Sequence, residues 1–151
     1  MVVKHFISHR GNLSGIDENS ENTKHYIEDA INKGFECEID LWVESSKISL
    51  GHDEPSLEIS IDFLMKYKDM LWVHCKNLQA LEFMNNYKVF NFFWHENDQY
   101  TLTSKNYIWT YPNIVSGENS IVVSLGSNIP NGNYVGICSD NIEVIRKELS
   151  V

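Results

Sequence analysis

The feature that most constrains the fold is a repeated alternation of short apolar segments with amphipathic ones. The predicted strands, which are short runs rich in apolar, β-branched and aromatic residues, are residues 2–9, 35–43, 70–75 and 88–95. The predicted helices, which carry apolar side chains at helical spacing, are residues 23–32, 60–67 and 78–87. Strands that alternate with helices form parallel sheets with crossover connections.

The pattern thins in the second half of the chain. Three further strands are predicted at residues 106–112, 120–126 and 133–140, but only residues 141–149 look helical again. Seven such strands can close into a barrel, although a full (β/α)₈ barrel usually needs about 200 residues or more. We therefore expect an α/β fold, namely one domain over residues 1–151 that forms a reduced TIM-like (β/α) barrel with helices shortened or missing in the second half.

Composition narrows the set of partners. The formal net charge is −9, because 21 acidic residues outnumber 12 basic ones, and this balance disfavours binding to nucleic acid or to an anionic membrane surface. No apolar run approaches the ~20 residues of a membrane span, and the N-terminus shows no export signal. The three cysteines match neither a disulfide framework nor a CxxC zinc site. We expect a soluble protein in a reducing cytoplasm.

The first candidate for chemistry is His9-Arg10, at the end of the first predicted strand. Histidine supplies a proton-transfer group that titrates near neutrality, and arginine offers a planar fork for a phosphate or a carboxylate. The alternative interpretation is a surface histidine and arginine at a strand end.

The second candidate is the pair Glu38 and Asp40 in the second strand. Residues two apart point to the same face of a strand, so the two carboxylates can share a cation. Burial without a cation would cost several kcal/mol for each carboxylate. The alternative is that the acids lie on a solvated strand face. It is disfavoured because the intervening residues Cys37, Ile39 and Leu41 would pack outward under the helices, an arrangement that suits a barrel with both acids inside.

Two more pairs follow along the chain. His52 is a second proton-transfer group that Asp53 would orient, and the alternative is an ordinary loop histidine. At the end of the third strand, His74 and Lys76 again share a face, so that His74 would ligate a metal ion and Lys76 would pair with an anion. A strand-end lysine without a function remains an equal alternative.

Taken in order, these motifs resemble those of the glycerophosphodiester phosphodiesterase family. The matching segments are His9-Arg10-Gly11, Ser20-Glu21-Asn22-Thr23, Glu38-Ile39-Asp40, His52-Asp53 and His74-Cys75-Lys76. Each segment is weak evidence alone, but five in register are specific. The resemblance covers the first half of the chain, and beyond it only residues 136–140 look like the family's closing strand.

The resemblance implies a TIM-like barrel that hydrolyses a phosphodiester with one divalent metal ion, such as Mg²⁺, Mn²⁺ or Ca²⁺. It implies an acid–base pair of His9 and His52, phosphate-binding cations at Arg10 and Lys76, metal ligands at Glu38, Asp40 and His74, and supporting residues at Glu21, Asn22 and Asp53. Phosphoryl transfer needs positioning, charge neutralisation and two proton-transfer groups, and these residue types supply all three.

The chain departs from the family's pattern at two positions. Ser20 stands where the family has proline, and it is a candidate helix N-cap. His74 stands where the family has a third acidic ligand. A neutral imidazole in place of a carboxylate removes one negative charge from the ion's surroundings and favours borderline metals over Ca²⁺.

The second half adds candidate pocket residues. His95 and Glu96 follow the fourth strand, whose end faces the same barrel mouth. Trp109 and Tyr111 alternate on the fifth strand and would line a pocket for a sugar or glycerol group. The alternative is that these aromatic side chains fill a small barrel.

The resulting hypothesis is metal-dependent hydrolysis of a small glycerophosphodiester-like substrate. Two alternatives stay open. In a cyclising lyase the substrate's own hydroxyl attacks phosphorus, and the same two histidines serve. A non-catalytic barrel would bind a phosphorylated ligand, although such a protein has no need of an acid–base pair.

Overall fold

In a computed structural model of the protein, residues 2–150 are described, and they form one mixed sheet of ten strands with four short helices. The strands are β1 (His5–His9), β2 (Glu36–Glu44), β3 (Lys47–Leu50), β4 (Leu57–Ile59), β5 (Leu71–Cys75), β6 (Asn91–Trp94), β7 (Tyr100–Leu102), β8 (Ile108–Thr110), β9 (Ser120–Ser124) and β10 (Gly136–Ser139). The helices are α1 (Lys24–Asn32), α2 (Ile61–Lys66), α3 (Leu78–Asn85) and α4 (Ile142–Leu149).

Seven strands run parallel in the order β6-β5-β2-β1-β10-β9-β8. These are the seven predicted strands, with ends that differ from the prediction by up to three residues. Three short strands were not predicted. β3 pairs antiparallel with the C-terminal half of β2, and β4 pairs antiparallel with β3. β7 pairs antiparallel with β8.

The prediction of a reduced TIM-like barrel is wrong. The sheet is a curled half-barrel of mixed strands, and helices do not alternate with strands around it. The connections β8–β9 and β9–β10 are residues 111–119 and 125–135, which are too short for the helical crossover that usually joins parallel strands. Within residues 2–150, β6 pairs only with β5, so the sheet does not close into a ring.

The helices cover the convex face of the sheet, and most of the core lies between them and the strands. The outward side chains of β2, Cys37, Ile39 and Leu41, are fully buried in one cluster with residues of α1, α2 and α3. At the other end of the sheet, α4 buries Ile142 and Ile145 against β9 and β10. The alternation along β2 therefore has the predicted direction, with apolar residues outward and acidic residues on the concave face.

The concave face is filled by a second apolar cluster, made of Ile7, Trp72, Phe93, Trp109, Ile121 and Cys138. Trp109 is 5% exposed and stacks on Phe93 with ring centroids 4.5 Å apart. This cluster, the apolar plug, occupies the middle of the concave face. Polar side chains are consequently confined to its two ends.

The three cysteines are buried and free. Among the helices of the described residues, none is long and apolar enough to cross a membrane.

Candidate metal centre

The candidate site lies at the carboxyl ends of three adjacent parallel strands. His9 ends β1 and is in register with Glu38 of β2, while Asp40 of β2 is in register with His74 of β5. Period-two alternation turns all four side chains to the concave face, just beyond the apolar plug. Carboxyl ends of parallel strands open onto a common edge, which brings together residues distant in sequence.

The two carboxylates of β2 are buried and incompletely paired. Glu38 is 2% exposed and Asp40 is 1% exposed. Oε2 of Glu38 and Oδ1 of Asp40 have no hydrogen-bond partner. Because a buried unpartnered polar atom costs free energy, each such oxygen calls for an explanation, of which an unseen ion is one.

His74 presents a lone pair to the same two carboxylates. Its Nε2 lies 2.8 Å from the backbone carbonyl of His95, and since a carbonyl only accepts, Nε2 carries the proton. In the neutral ring, Nδ1 is then the free base. Nδ1 lies 3.2 Å from Oδ1 of Asp40 and 3.7 Å from Oε1 of Glu38. A histidine held through its other nitrogen by a carbonyl is the usual arrangement of a metal ligand.

Donor atoms of Glu38, Asp40 and His74 all lie within 4.8 Å of one another. The three residues can therefore hold a metal ion. The surrounding charge favours a cation: four carboxylates, those of Glu21, Glu38, Asp40 and Asp140, face two permanent cations, Arg10 and Lys76. With neutral imidazoles the site carries an excess of negative charge, which a divalent ion offsets.

The environment drives the pKa values of the two carboxyl groups apart. Burial, then repulsion from Asp40, raises the pKa of Glu38. Burial also acts to raise the pKa of Asp40, but hydrogen bonding to His52 and the charge of Arg10 outweigh it and hold the pKa well below its usual value. Asp40 is thus the securely ionised member of the pair.

His9 is oriented by a carboxylate from the last strand. Its Nδ1 lies 2.8 Å from Oδ1 of Asp140, so Nδ1 carries a proton and Nε2 points into the site, 3.7 Å from Oε2 of Glu38. Burial acts to lower the pKa of His9, but the hydrogen bond to Asp140 and the charge of Glu38 raise it overall. The pKa of Asp140 is lowered in turn, against the effect of burial, by its hydrogen bond to His9.

Arg10 connects the other groups of the site. Its backbone has a φ of 59°, in the sparsely populated left-handed region, and its guanidinium lies between three partners. Nη1 donates to Oε2 of Glu21 at 3.1 Å, and Nε lies 3.1 Å from Oδ2 of Asp40 in poor alignment for a hydrogen bond. Nη2 lies 3.3 Å from Nε2 of His52.

The contact with Arg10 determines the tautomer of His52. A guanidinium only donates, so Nε2 of His52 accepts and its proton resides on Nδ1, which lies 3.5 Å from Oδ2 of Asp40. His9 and His52 thus both present Nε2 to the site, but His9 is buried against carboxylates while His52 lies 42% exposed beside a cation.

The supporting residues have unequal places. Asn22 donates from Nδ2 to Oδ2 of Asp40 at 3.0 Å, and it accepts from the Asp40 backbone N–H at 3.0 Å. Glu21 holds Arg10, as described above. Asp53 is different: its carboxylate is 94% exposed and lies 3.7 Å from the His52 nitrogen that already accepts from Arg10.

Above the carboxylates lies a cavity of about 350 Å³. Its wall contains the predicted residues His9, Arg10, Glu38, His52, His74, Lys76, His95, Glu96, Trp109 and Tyr111, together with Asn97, Pro112, Val123 and Leu125. Nζ of Lys76 lies 3.9 Å from Oδ1 of Asp40. Tyr111 stacks on His95 with ring centroids 5.7 Å apart. One wall is therefore ionic and the other aromatic and apolar.

Two site residues were not singled out by sequence reasoning. Asp140 follows β10 directly, and its place after a parallel strand is a signal that could have found it. Asn12 is fully buried and binds both Asp140 and Glu21, but no pattern in the sequence marks it.

Comparison of the chain with protein-family models, with curated proteins and with solved structures finds no match.

Proposed function

We propose that this protein hydrolyses a small phosphodiester with the help of one divalent metal ion. The observation that carries the proposal is the pair of buried carboxylates of Glu38 and Asp40, each with one unpartnered oxygen, beside the free Nδ1 of His74. They lie below a cavity lined by three more imidazoles and two cations. The order of motifs that resembles the glycerophosphodiester phosphodiesterase family supports the same chemistry.

The proposed ligands are the carboxylates of Glu38 and Asp40 and Nδ1 of His74. A bound divalent ion would supply Lewis-acid polarisation of a phosphoryl oxygen and would neutralise its charge. Because imidazole suits borderline metals better than alkaline-earth ions, the donor set favours Mn²⁺ or Zn²⁺ over Ca²⁺.

Arg10 and Lys76 bind the phosphate group in this proposal. A guanidinium has five N–H donors, and Glu21 and His52 accept only two of those of Arg10. Nε is buried against Asp40, so the second N–H of each Nη is the donor left for phosphoryl oxygens. Glu21 and Asp40 hold the guanidinium at the cavity wall, so little conformational freedom is lost when a phosphate binds.

His52 and His9 divide the proton transfers. His52 acts as the base when Nη2 of Arg10 leaves Nε2 of His52 for a phosphoryl oxygen. The freed lone pair then takes a proton from water as the water oxygen forms a bond to phosphorus. His9, whose pKa is raised, acts in its protonated form as the acid and gives its Nε2 proton to the alcohol oxygen as the P–O bond to that oxygen breaks. The products are a phosphomonoester and an alcohol.

The cavity volume limits the substrate to a small diester. Its ionic side accommodates the phosphate, and the opposite side, with Tyr111, Val123 and Leu125, accommodates the alcohol part. A glycerol-like or sugar-like group fits such a mixed wall, since a sugar ring offers one apolar face to an aromatic side chain.

The test is turnover of bis(p-nitrophenyl) phosphate with added Mn²⁺, and of glycerophosphocholine followed by phosphorus NMR. We expect Mn²⁺-dependent release of a phosphomonoester that a chelator abolishes. The control variant is His25→Ala, which removes an exposed histidine of α1 and should retain full activity. A cyclic phosphate as first product would overturn hydrolysis in favour of the cyclising reaction, and binding of phosphate without any turnover would overturn the enzymatic proposal.

A further inference from the structure

Asn12 lies at the back of the site and uses both hydrogens of its side-chain amide. The side chain is fully buried. Nδ2 donates to Oδ1 of Asp140 at 2.9 Å and to Oε1 of Glu21 at 3.0 Å. One amide group therefore bridges two carboxylates that come from opposite ends of the chain.

The orientation of this amide is determined by the groups around it. Its Oδ1 accepts from the hydroxyl of Tyr26 at 2.9 Å and from the backbone N–H of Asp17 at 3.3 Å. A flipped amide would set oxygen against two carboxylates and NH₂ against the Asp17 N–H, so only one orientation satisfies all four contacts.

The backbone at Asn12 is also held in place. Ser8 donates from Oγ to the Asn12 carbonyl at 2.8 Å. The preceding residue, Gly11, has a φ of 95°, and a Cβ there would lie 2.6 Å from Cδ1 of Tyr26. The turn is thus closely packed, and the amide cannot move far without breaking these contacts.

Each carboxylate that Asn12 holds is itself the support of a working group. Asp140 accepts from Nδ1 of His9 at 2.8 Å, and Glu21 accepts from Nη1 of Arg10 at 3.1 Å. Two hydrogen-bonded chains, one to the proton-transfer group and one to the phosphate-binding group, start at the same nitrogen atom.

We propose that Asn12 is a positioning residue that keeps the His9 imidazole and the Arg10 guanidinium in register with each other. This inference rests on the proposed function for the roles of His9 and Arg10. Without the amide, Asp140 and Glu21 would each lose a buried donor, and both carboxylates would be free to turn away from their partners. One substitution should therefore disturb proton transfer and phosphate binding together.

The decisive variant is Asn12→Asp, which preserves shape but replaces the donating NH₂ by an acceptor. Loss of a group that orients a catalytic side chain typically costs about 10–100-fold in activity or affinity, and we expect kcat/KM to fall within that range. We also expect inorganic phosphate to bind about tenfold more weakly in a calorimetric titration, because Arg10 loses its support.

A third measurement does not depend on catalysis. Nitrogen-15 NMR of the histidine rings reports which nitrogen carries the proton, and the His9 signals are assigned by their loss in His9→Ala. In the wild-type protein we expect the neutral His9 ring to carry its proton on Nδ1. In Asn12→Asp and Asn12→Ala we expect a mixture of tautomers.

Two controls separate positioning from folding. Ser60→Ala removes the side-chain cap of α2 and should lower the melting temperature without changing the His9 tautomer or phosphate binding. Tyr26→Phe removes one contact that orients the Asn12 amide and should produce the same changes as Asn12→Ala, but smaller.

If the Asn12 variants resemble Ser60→Ala, with lower melting temperature but an unchanged tautomer and unchanged phosphate affinity, the proposal is wrong and Asn12 serves the fold alone. Absence of turnover in the wild-type protein would instead overturn the proposed function. The NMR measurement would still decide whether Asn12 positions His9, so the two failures are distinguishable.

Discussion

The concave face of the sheet carries a histidine–carboxylate contact at each end, and the two ends differ in what surrounds the carboxylate. At the beginning of β1 and β2, Nδ1 of His5 lies 3.1 and 2.9 Å from the two oxygens of Glu36, and the rings of Trp72 and Tyr107 meet the imidazole edge-on. At the opposite end, the carboxylates of the candidate metal centre are deeply buried yet keep unpartnered oxygens.

The comparison separates a histidine–carboxylate pair that is satisfied within the fold from a pair of carboxylates that is not. One carboxylate, one imidazole and two aromatic rings satisfy each other around His5, so that end needs no ligand. Around Glu38 and Asp40 the protein places two adjacent carboxylates at a cost in stability that the fold itself does not require. An uncompensated cost of this kind is typical of sites that bind or react.

The largest effect is expected for Asp40→Asn. Removal of one partner from a buried ionic network costs about 3–5 kcal/mol, and Asp40 balances Arg10, Lys76 and His74. The lowered pKa of Asp40 gives the same sign: its contribution to stability is present at neutral pH and is lost as pH falls below its ordinary range, through the lowered pKa. Denaturant melts of both proteins between pH 2 and pH 7 test this, and equal stability at pH 7 would contradict it.

Substitution of either proton-transfer group ranks second. His9→Ala and His52→Ala should each lower turnover of bis(p-nitrophenyl) phosphate by about 10²-fold or more, because general acid–base groups contribute about that much. Far-UV circular dichroism checks that the fold is intact. His5→Ala is the matched variant at the other end of the face and should leave kcat unchanged; a similar loss there would erase the distinction between the two ends.

The third prediction concerns metal preference. His74→Glu restores a carboxylate in place of the imidazole, so we expect the preference to move about tenfold or more from Mn²⁺ or Zn²⁺ toward Ca²⁺ or Mg²⁺. Because an imidazole must be neutral to bind, wild-type affinity should also weaken at a higher pH than that of the variant. Isothermal titration at two pH values measures both. An unchanged metal order and pH dependence would place His74 outside the ligands, with Glu96 the next candidate.

In the metal-free protein, Glu38→Gln should raise the free energy of unfolding, whereas Asp40→Asn should lower it. The pKa of Glu38 is raised by burial and by Asp40, so its ionised form destabilises the fold at neutral pH, and this penalty grows as pH rises from the ordinary value to the raised one. A neutral amide removes the penalty, so we expect metal-free Glu38→Gln to unfold at a higher denaturant concentration than wild type at neutral pH. The same variant should lose metal-dependent thermal stabilisation, as should Asp40→Asn. If metal-free Glu38→Gln is less stable than wild type, the conclusion that ionised Glu38 destabilises the fold is wrong.

The smallest effect is expected at the structural end. Glu36→Gln keeps an oxygen that accepts from His5, so we expect a loss of no more than about 1 kcal/mol, the value of one hydrogen bond. Calorimetric scans with and without Mn²⁺ should show the same metal-induced rise in melting temperature as in wild type. A change in that rise would mean that the two ends of the face are coupled.

Local periodicity was enough to place much of this molecule. Short apolar, β-branched and aromatic runs predicted the seven parallel strands, because strands covered on both faces of a parallel sheet are nearly continuous apolar segments. The two-residue spacing of Glu38 and Asp40 predicted that both acids lie on the face of the sheet opposite the helices. Positions at the ends of successive strands predicted that His9 and His74 join them, since parallel strands open on one edge.

Other features depend on contacts that no local pattern records. Closure of a barrel requires pairing between β6 and the strands that follow it, and that pairing depends on the length and path of connections without a strong local signal. The tautomer of His74 depends on a carbonyl 21 residues away, and Asp53, adjacent to His52 in sequence, lies in solvent because of the path of its loop.

The amino-acid sequence by itself determined which chemical groups lie at the strand ends, since each strand is marked by an apolar run of a few neighbouring residues. Only the tertiary structure decided how those groups are held. Asn12 meets Asp140 across 128 residues of sequence. The hydrogen bonds that orient His9 and His74 exist because β1 pairs with β10 and β5 with β6, not because of any spacing along the chain.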